Sequence, residues 1–121
     1  MSMRVCIAGS GLIGRAWGMI FARAGWEVRL WDPVEGVADK ARALCAEGLR
    51  NLAEHGLCQD PEGAAARIQA ARDLAAALDG VDFVQENGPE VLEVKRALFR
   101  ELDALAPRGA IIASSSSAIR C

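Results

Sequence analysis

What this sequence lacks narrows what it can do. Cysteine occurs four times, at Cys6, Cys45, Cys58 and Cys121. The four are scattered, with no C-x-x-C pair and no histidine at ligand spacing, so neither a metal centre nor a disulfide framework is expected. The single histidine, His55, stands just before Gly56. There it suits the C-terminal end of a helix dipole rather than a catalytic role. No apolar run approaches the roughly 20 residues of a membrane span, and Met1–Ala8 lacks the apolar core of a signal peptide. No membrane partner and a cytoplasmic location are therefore the expectation. No basic patch stands out, and with a net charge of −2 and a pI near 5.4 nucleic acid is not an expected partner either. Repeats and low-complexity linkers are also missing, and 121 residues allow one domain and one core rather than two.

What is present is concentrated in Arg4–Asp32. Val5-Cys6-Ile7-Ala8 is the short apolar run that a buried parallel strand requires. Gly9-Ser10-Gly11-Leu12-Ile13-Gly14 follows it, and then Ala16, Trp17, Ile20, Phe21 and Ala24 recur at helical spacing. Gly25 sits where a helix C′ residue belongs, and Glu27–Trp31 reads as a second strand ending at Asp32. Strand, G-x-G-x-x-G, helix, strand and acid together form a dinucleotide-binding fingerprint. In it Gly9 allows the tight turn, Gly11 lets backbone approach a pyrophosphate, and Gly14 lets the helix pack close to the strand. The helix N-terminus offers unpaired N–H groups to the phosphates. Asp32 follows Gly9 by 23 residues, near the spacing of about 20 typical of the acid that holds the adenosine ribose.

After Asp32, Pro33 is expected to open a long helix from Val34 to His55, with Val37, Ala41, Leu44, Cys45, Leu49 and Leu52 as its apolar stripe and Gly56 as its stop. Asp60-Pro61 caps a short helix to about Ala66. Arg67–Ala71 reads as a third strand, Asp73 caps a helix through Leu78, and Val81–Glu86 reads as a fourth strand. Pro89 fits the first turn of a helix from about Glu90 to Leu105, carrying Val91, Val94, Leu98, Leu102 and Leu105 on one face. Ala110–Ala113 is the fifth apolar run. This alternation predicts an α/β fold, a Rossmann-type doubly wound parallel sheet of order 3-2-1-4-5. In such a sheet the loops Gly9–Gly14, Glu86–Glu90 and Ser114–Ser117 converge on one crevice. On the residues alone, Glu90 is either a site acid or a first-turn glutamate favoured by the helix dipole, and Lys95 either a site cation or a solvated one. The serines either bind a substrate hydroxyl or satisfy the strand end.

Gly9–Arg15, Leu30-Trp31-Asp32, Val84–Glu90 with Leu92–Arg96 and Leu98-Phe99, and Ala113–Ser117 together resemble the NAD-binding domain of the 3-hydroxyacyl-CoA dehydrogenase family, over essentially all of the chain. Within the family the likeness is to the branch of lambda-crystallin, or L-gulonate 3-dehydrogenase, beside carnitine and hydroxybutyryl-CoA dehydrogenases. The resemblance implies NAD as cofactor, with Leu12 and Ile13 touching the pyrophosphate and Asp32 the ribose. It implies Glu90 and Lys95 beside the nicotinamide, and Ser117 on the 3-hydroxyl of a small 3-hydroxy acid or acyl-CoA substrate. It also implies hydride transfer from that hydroxyl to NAD, a histidine–glutamate pair as base, and a homo-oligomer when intact.

Two departures qualify these expectations. The acyl-CoA branch holds CoA with a serine and a lysine whose positions here, counted without gaps from Asp32, are Gly48 and His55. A small free hydroxy acid is therefore favoured over a CoA thioester. The family's histidine, glutamate and C-terminal helical domain would all follow Cys121. The expectation is thus a cofactor-binding domain that is inactive as these 121 residues, the alternative being a stand-alone NAD-binding or structural module.

Overall fold

The computed structural model describes residues 3–87 and 92–114, with backbone only at 92–95. Five strands are β1 (Arg4–Ala8), β2 (Glu27–Trp31), β3 (Ile68–Ala70), β4 (Phe83–Glu86) and β5 (Ile111–Ser114). Between them run α1 (Leu12–Arg23), α2 (Val37–Glu54), α3 (Pro61–Ala66), α4 (Leu74–Leu78) and α5 (Leu92–Leu105). The strands form one parallel sheet in the order β3-β2-β1-β4-β5, as the alternation of elements requires.

Alternation along the strands sends side chains into two cores. Val5, Ile7, Val28 and Leu30 meet Ala22 of α1, Ala41, Cys45 and Leu49 of α2, and Ala64 of α3. Cys6, Ala8 and Val84 meet Leu74, Ala77 and Leu78 of α4 and Leu102 of α5. With helices on both faces, the strand carboxyl ends are left open to form a crevice.

The structure corrects several local expectations. α1 buries Gly14, Gly18 and Ala22, while Ile20 is exposed and Ala16 and Ala24 face solvent. Its inner stripe is one of small residues because the helix lies close on the sheet: a Cβ on Gly18 would stand 3.4 Å from Leu30 Cδ2 and 3.7 Å from Cys45 Sγ. α2 begins at Val37 rather than Val34, because Asp32 Oδ1 accepts from the Val34 N–H at 2.9 Å and Gly36 holds φ +83°, outside the helical region. The fourth strand starts at Phe83 rather than Val81, and the third spans only Ile68–Ala70. Leu105, expected on one face of α5 with Leu98 and Leu102, is exposed while Leu102 is fully buried. Gly25, with φ +95°, ends α1 as expected, and Asp60 and Asp73 cap α3 and α4 through Gly63 N–H and Ala76 N–H.

A candidate dinucleotide crevice

The loop leaving β1 is tied to the end of β2. Trp31 O accepts from Gly9 N–H at 2.8 Å and from the Ser10 hydroxyl at 2.9 Å, and Asp32 Oδ2 accepts from Ser10 N–H at 2.9 Å. Ser10, which the sequence reading left without a role, is buried and makes two of these three bonds. Its signal in the sequence was its place between two glycines, where a side chain must turn either to the ligand or to the neighbouring strand.

At Gly14 the close packing of α1 on the loop is as expected. A Cβ on Gly14 would stand 2.0 Å from Gly9 O, so only glycine lets α1 start against this loop. Over Gly11, at the N-cap of α1, a Cβ would find nothing within 4 Å among the described residues. That open space leaves room for phosphates to approach the backbone. No side chain caps α1 and no acid occupies its first turn. The N–H groups of that turn, including those of Leu12 and Ile13, therefore lack helical acceptors. The side chains of Leu12 and Ile13 are exposed.

A cavity of about 590 Å³ opens beside this loop, lined by Ala8, Gly9, Gly11, Trp31, Asp32, Pro33, Val34 and Asn87, with Ala97, Leu98 and Glu101 of α5 opposite. Most of these groups are apolar, which suits a flat base, and Asp32 supplies charge at one side. Each Asp32 oxygen accepts one backbone N–H, from Ser10 and Val34. A carboxylate accepts about four hydrogen bonds, so capacity for two ribose hydroxyls remains. The open space at Gly11, the bare helix N-terminus and the fixed carboxylate fit an adenine dinucleotide.

At the next strand ends Glu86 is fully buried, and its Oε1 accepts from the Ser114 hydroxyl at 2.7 Å. Ser114 closes β5 opposite Glu86 instead of opening a serine loop, because the β4–β5 ladder runs on to this pair. Glu90 and Ser117 lie outside the described residues, and Lys95 is placed only as a backbone position on α5. His55 caps the C-terminal end of α2, the far end of that helix from Asp32 and Val34 in the crevice, with its Nδ1 2.9 Å from Asn51 O. Among the described residues no group of three metal-ligating side chains occurs, and no helix is long and apolar enough to cross a membrane.

Sheet order, glycine loop and terminal acid define a Rossmann dinucleotide-binding domain. Residues 4–121 match the family model "3-hydroxyacyl-CoA dehydrogenase, NAD binding domain". The chain belongs to this family, and its cofactor is NAD. It is 40% identical over 115 residues to L-carnitine dehydrogenase of Streptomyces griseus, covering 94% of this chain and 33% of that protein. It is 39% identical over 118 residues to a lambda-crystallin homolog of Bos taurus, covering 95% of this chain and 37% of the relative. The crystal structure of 3-hydroxybutyryl-CoA dehydrogenase from Escherichia coli superposes with a TM-score of 0.87 at 27% identity, over 97% of this chain and 25% of that one. The chain thus spans about a third of the length of the curated relatives it matches.

Proposed function

We propose that these residues form the cofactor-binding part of an NAD-dependent dehydrogenase acting on the 3-hydroxyl of a small hydroxy acid. The observation that carries this reading is the crevice itself, with the space over Gly11, the uncapped start of α1 and the Asp32 carboxylate aligned along one edge. When bound, NAD supplies the hydride acceptor for oxidising the hydroxyl. Gly9, Gly11 and Gly14 shape the phosphate loop, N–H groups at Leu12 and Ile13 bind the pyrophosphate, and Asp32 takes the adenosine ribose. Glu90 and Lys95 serve the nicotinamide end, and Ser117 positions the substrate hydroxyl. Gly48 and His55, standing where the acyl-CoA branch has its CoA-binding serine and lysine, favour a free acid over a CoA thioester. In the whole protein the domain works within a homo-oligomer.

The hydroxyl proton needs a general base, worth about 10²–10⁴-fold in rate. The single histidine of these residues stands at the far end of α2 from the crevice. The 121-residue chain is therefore expected to bind NADH without oxidising hydroxy acids. Calorimetric titration with NADH tests the first half. Absorbance of the reduced cofactor, followed with NAD and L-gulonate, L-carnitine or 3-hydroxybutyryl-CoA in turn, tests the second. Absence of NADH binding overturns the cofactor assignment, and steady turnover overturns the account of the base.

A further inference from the structure

One polar side chain lining the crevice is held in place at one end and, among the described residues, unsatisfied at the other. Asn87 extends the β1–β4 ladder through its N–H, which donates to Ala8 O at 2.8 Å. Its Nδ2 donates to Gly9 O at 3.3 Å and to Gln85 O at 3.2 Å. Both acceptors are carbonyls, so only the NH₂ end of the amide can face them, and the orientation is settled by chemistry. Oδ1 is consequently turned away from both. It is buried and has no hydrogen-bond partner among the described residues. A desolvated amide oxygen without a donor is unfavourable, and native proteins keep few of them outside ligand sites.

Asn87 lines the same cavity as Gly9, Gly11 and Asp32. Strand order puts it across the loop from Asp32: β2 flanks β1 on one side and ends just before Asp32, while β4 flanks it on the other and ends just before Asn87. A dinucleotide crosses this switch point with its pyrophosphate over the glycine loop, so its halves fall on either side of β1. Asp32 serves the adenosine half. The pyrophosphate offers acceptors only, and the first donors beyond it are the hydroxyls of the second ribose.

We propose that Asn87 Oδ1 accepts a hydrogen bond from a hydroxyl of the nicotinamide-side ribose. The inference rests on the reading of the crevice as the NAD site. Asn87 then acts twice: Nδ2 steadies Gly9 and Oδ1 reads the sugar.

ADP, ADP-ribose and NAD separate these two actions, because ADP lacks the second ribose. Calorimetric titration of the chain and of Asn87→Ala should show ADP-ribose and NAD weakened about fivefold, as for one neutral hydrogen bond, with ADP changed less than about twofold. Equal weakening of all three ligands would reduce Asn87 to a loop tie and overturn the proposal, as would no weakening at all. NAD analogues deoxygenated at the nicotinamide-side ribose supply a second route that needs no variant. The 2′-deoxy or the 3′-deoxy compound should lose the same factor on the unaltered chain and lose nothing further on Asn87→Ala. Full affinity of both analogues on the unaltered chain would overturn the assignment. If the unaltered chain binds NAD, a negative result removes the role of Asn87 alone; if it does not, the reading of the crevice falls with it.

Discussion

Alanine at Gly11 and alanine at Gly14 should fail in different ways, although the two positions are only three residues apart. At Gly14 the new methyl would stand 2.0 Å from Gly9 O, 3.0 Å from Gly9 C and 3.3 Å from Ile7 Cγ2, all before any ligand arrives. Cβ contacts under 3.0 Å are essentially never found, so α1 and the loop must separate by at least 3.0 − 2.0, about 1 Å. The obstacle is backbone, and the loop is anchored to Trp31 O and Asp32 by three hydrogen bonds. Overpacking of this kind costs about 1–3 kcal/mol, and at about 4 °C per kcal/mol for a domain this size Tm should fall by roughly 4–12 °C.

Gly11 has φ −74° and no neighbour within 4 Å of its Cβ. Alanine there narrows the unfolded ensemble by about 0.4–1 kcal/mol and is a poorer N-cap than glycine by a comparable amount, so stability should hold within about 0.5 kcal/mol. The methyl would then occupy the space meant for the pyrophosphate, and NAD affinity should fall at least about tenfold, near 1.4 kcal/mol. Thermal unfolding and NAD titration on both variants give four numbers. Unchanged NAD affinity in Gly11→Ala would show that the phosphates do not pass over this loop, and unchanged Tm in Gly14→Ala would refute the close-packing account.

Three other expectations follow from named groups. Asp32 faces any 2′-phosphate with like charge and is followed by Pro33, Val34 and Glu35 rather than an arginine, so NAD(H) should bind at least about tenfold, or 1.4 kcal/mol, tighter than NADP(H); equal affinities by titration would remove Asp32 from its role. Burial pushes the Cys6 thiol up to about 12 and the Cys45 thiol up to about 11, the latter against the lowering influence of Arg15. Both lie above the ordinary 9.0, so their contribution to stability is complete below about pH 9 and is lost as pH rises toward 11 to 12. Denaturant titrations at pH 8 and 10.5 check this, and, of the three described cysteines, disulfide-exchange labelling of the native protein at pH 8 should mark half-buried Cys58 while sparing Cys6 and Cys45. Finally, among the described residues β5 pairs only with β4, and Ile111 on it is 62% exposed, so the chain should self-associate at micromolar concentration; a sharp monomer in sedimentation would count against it.

The sheet order and most element positions were legible without coordinates because they rest on local signals. Val5–Ala8 and Glu27–Trp31 are bounded by glycine and by Asp32-Pro33, Asp60 and Asp73 announce their helices, and right-handed crossovers leave few topologies for five such units. The glycine loop was legible for the same reason, since its chemistry lies within one turn and a following acid. The start of α2 was misplaced because periodicity cannot show that Asp32 turns back on Val34 N–H, or that Gly36 adopts φ +83°.

Other features were decided only when distant segments met. Helical spacing picked out Ala16, Trp17, Ile20, Phe21 and Ala24 of α1, and Trp17 and Phe21 do pack on the core, yet it is Gly14, Gly18 and Ala22 that lie buried against the sheet. How close a helix sits is settled by what lies under it, here Gly9, Leu30 and Cys45. Ser10 became an anchor only beside Trp31, 21 residues later. Asn87 came to bear on the crevice only once Gly9, 78 residues earlier, accepted from its Nδ2, with no donor to the buried Oδ1 among the described residues. The sequence alone determined that a dinucleotide loop forms, because that information is held in a few adjacent residues and the conformations they permit. Which side chains complete the crevice was decided by the tertiary structure, since hydrogen bonding and burial depend on neighbours that sequence spacing does not reveal.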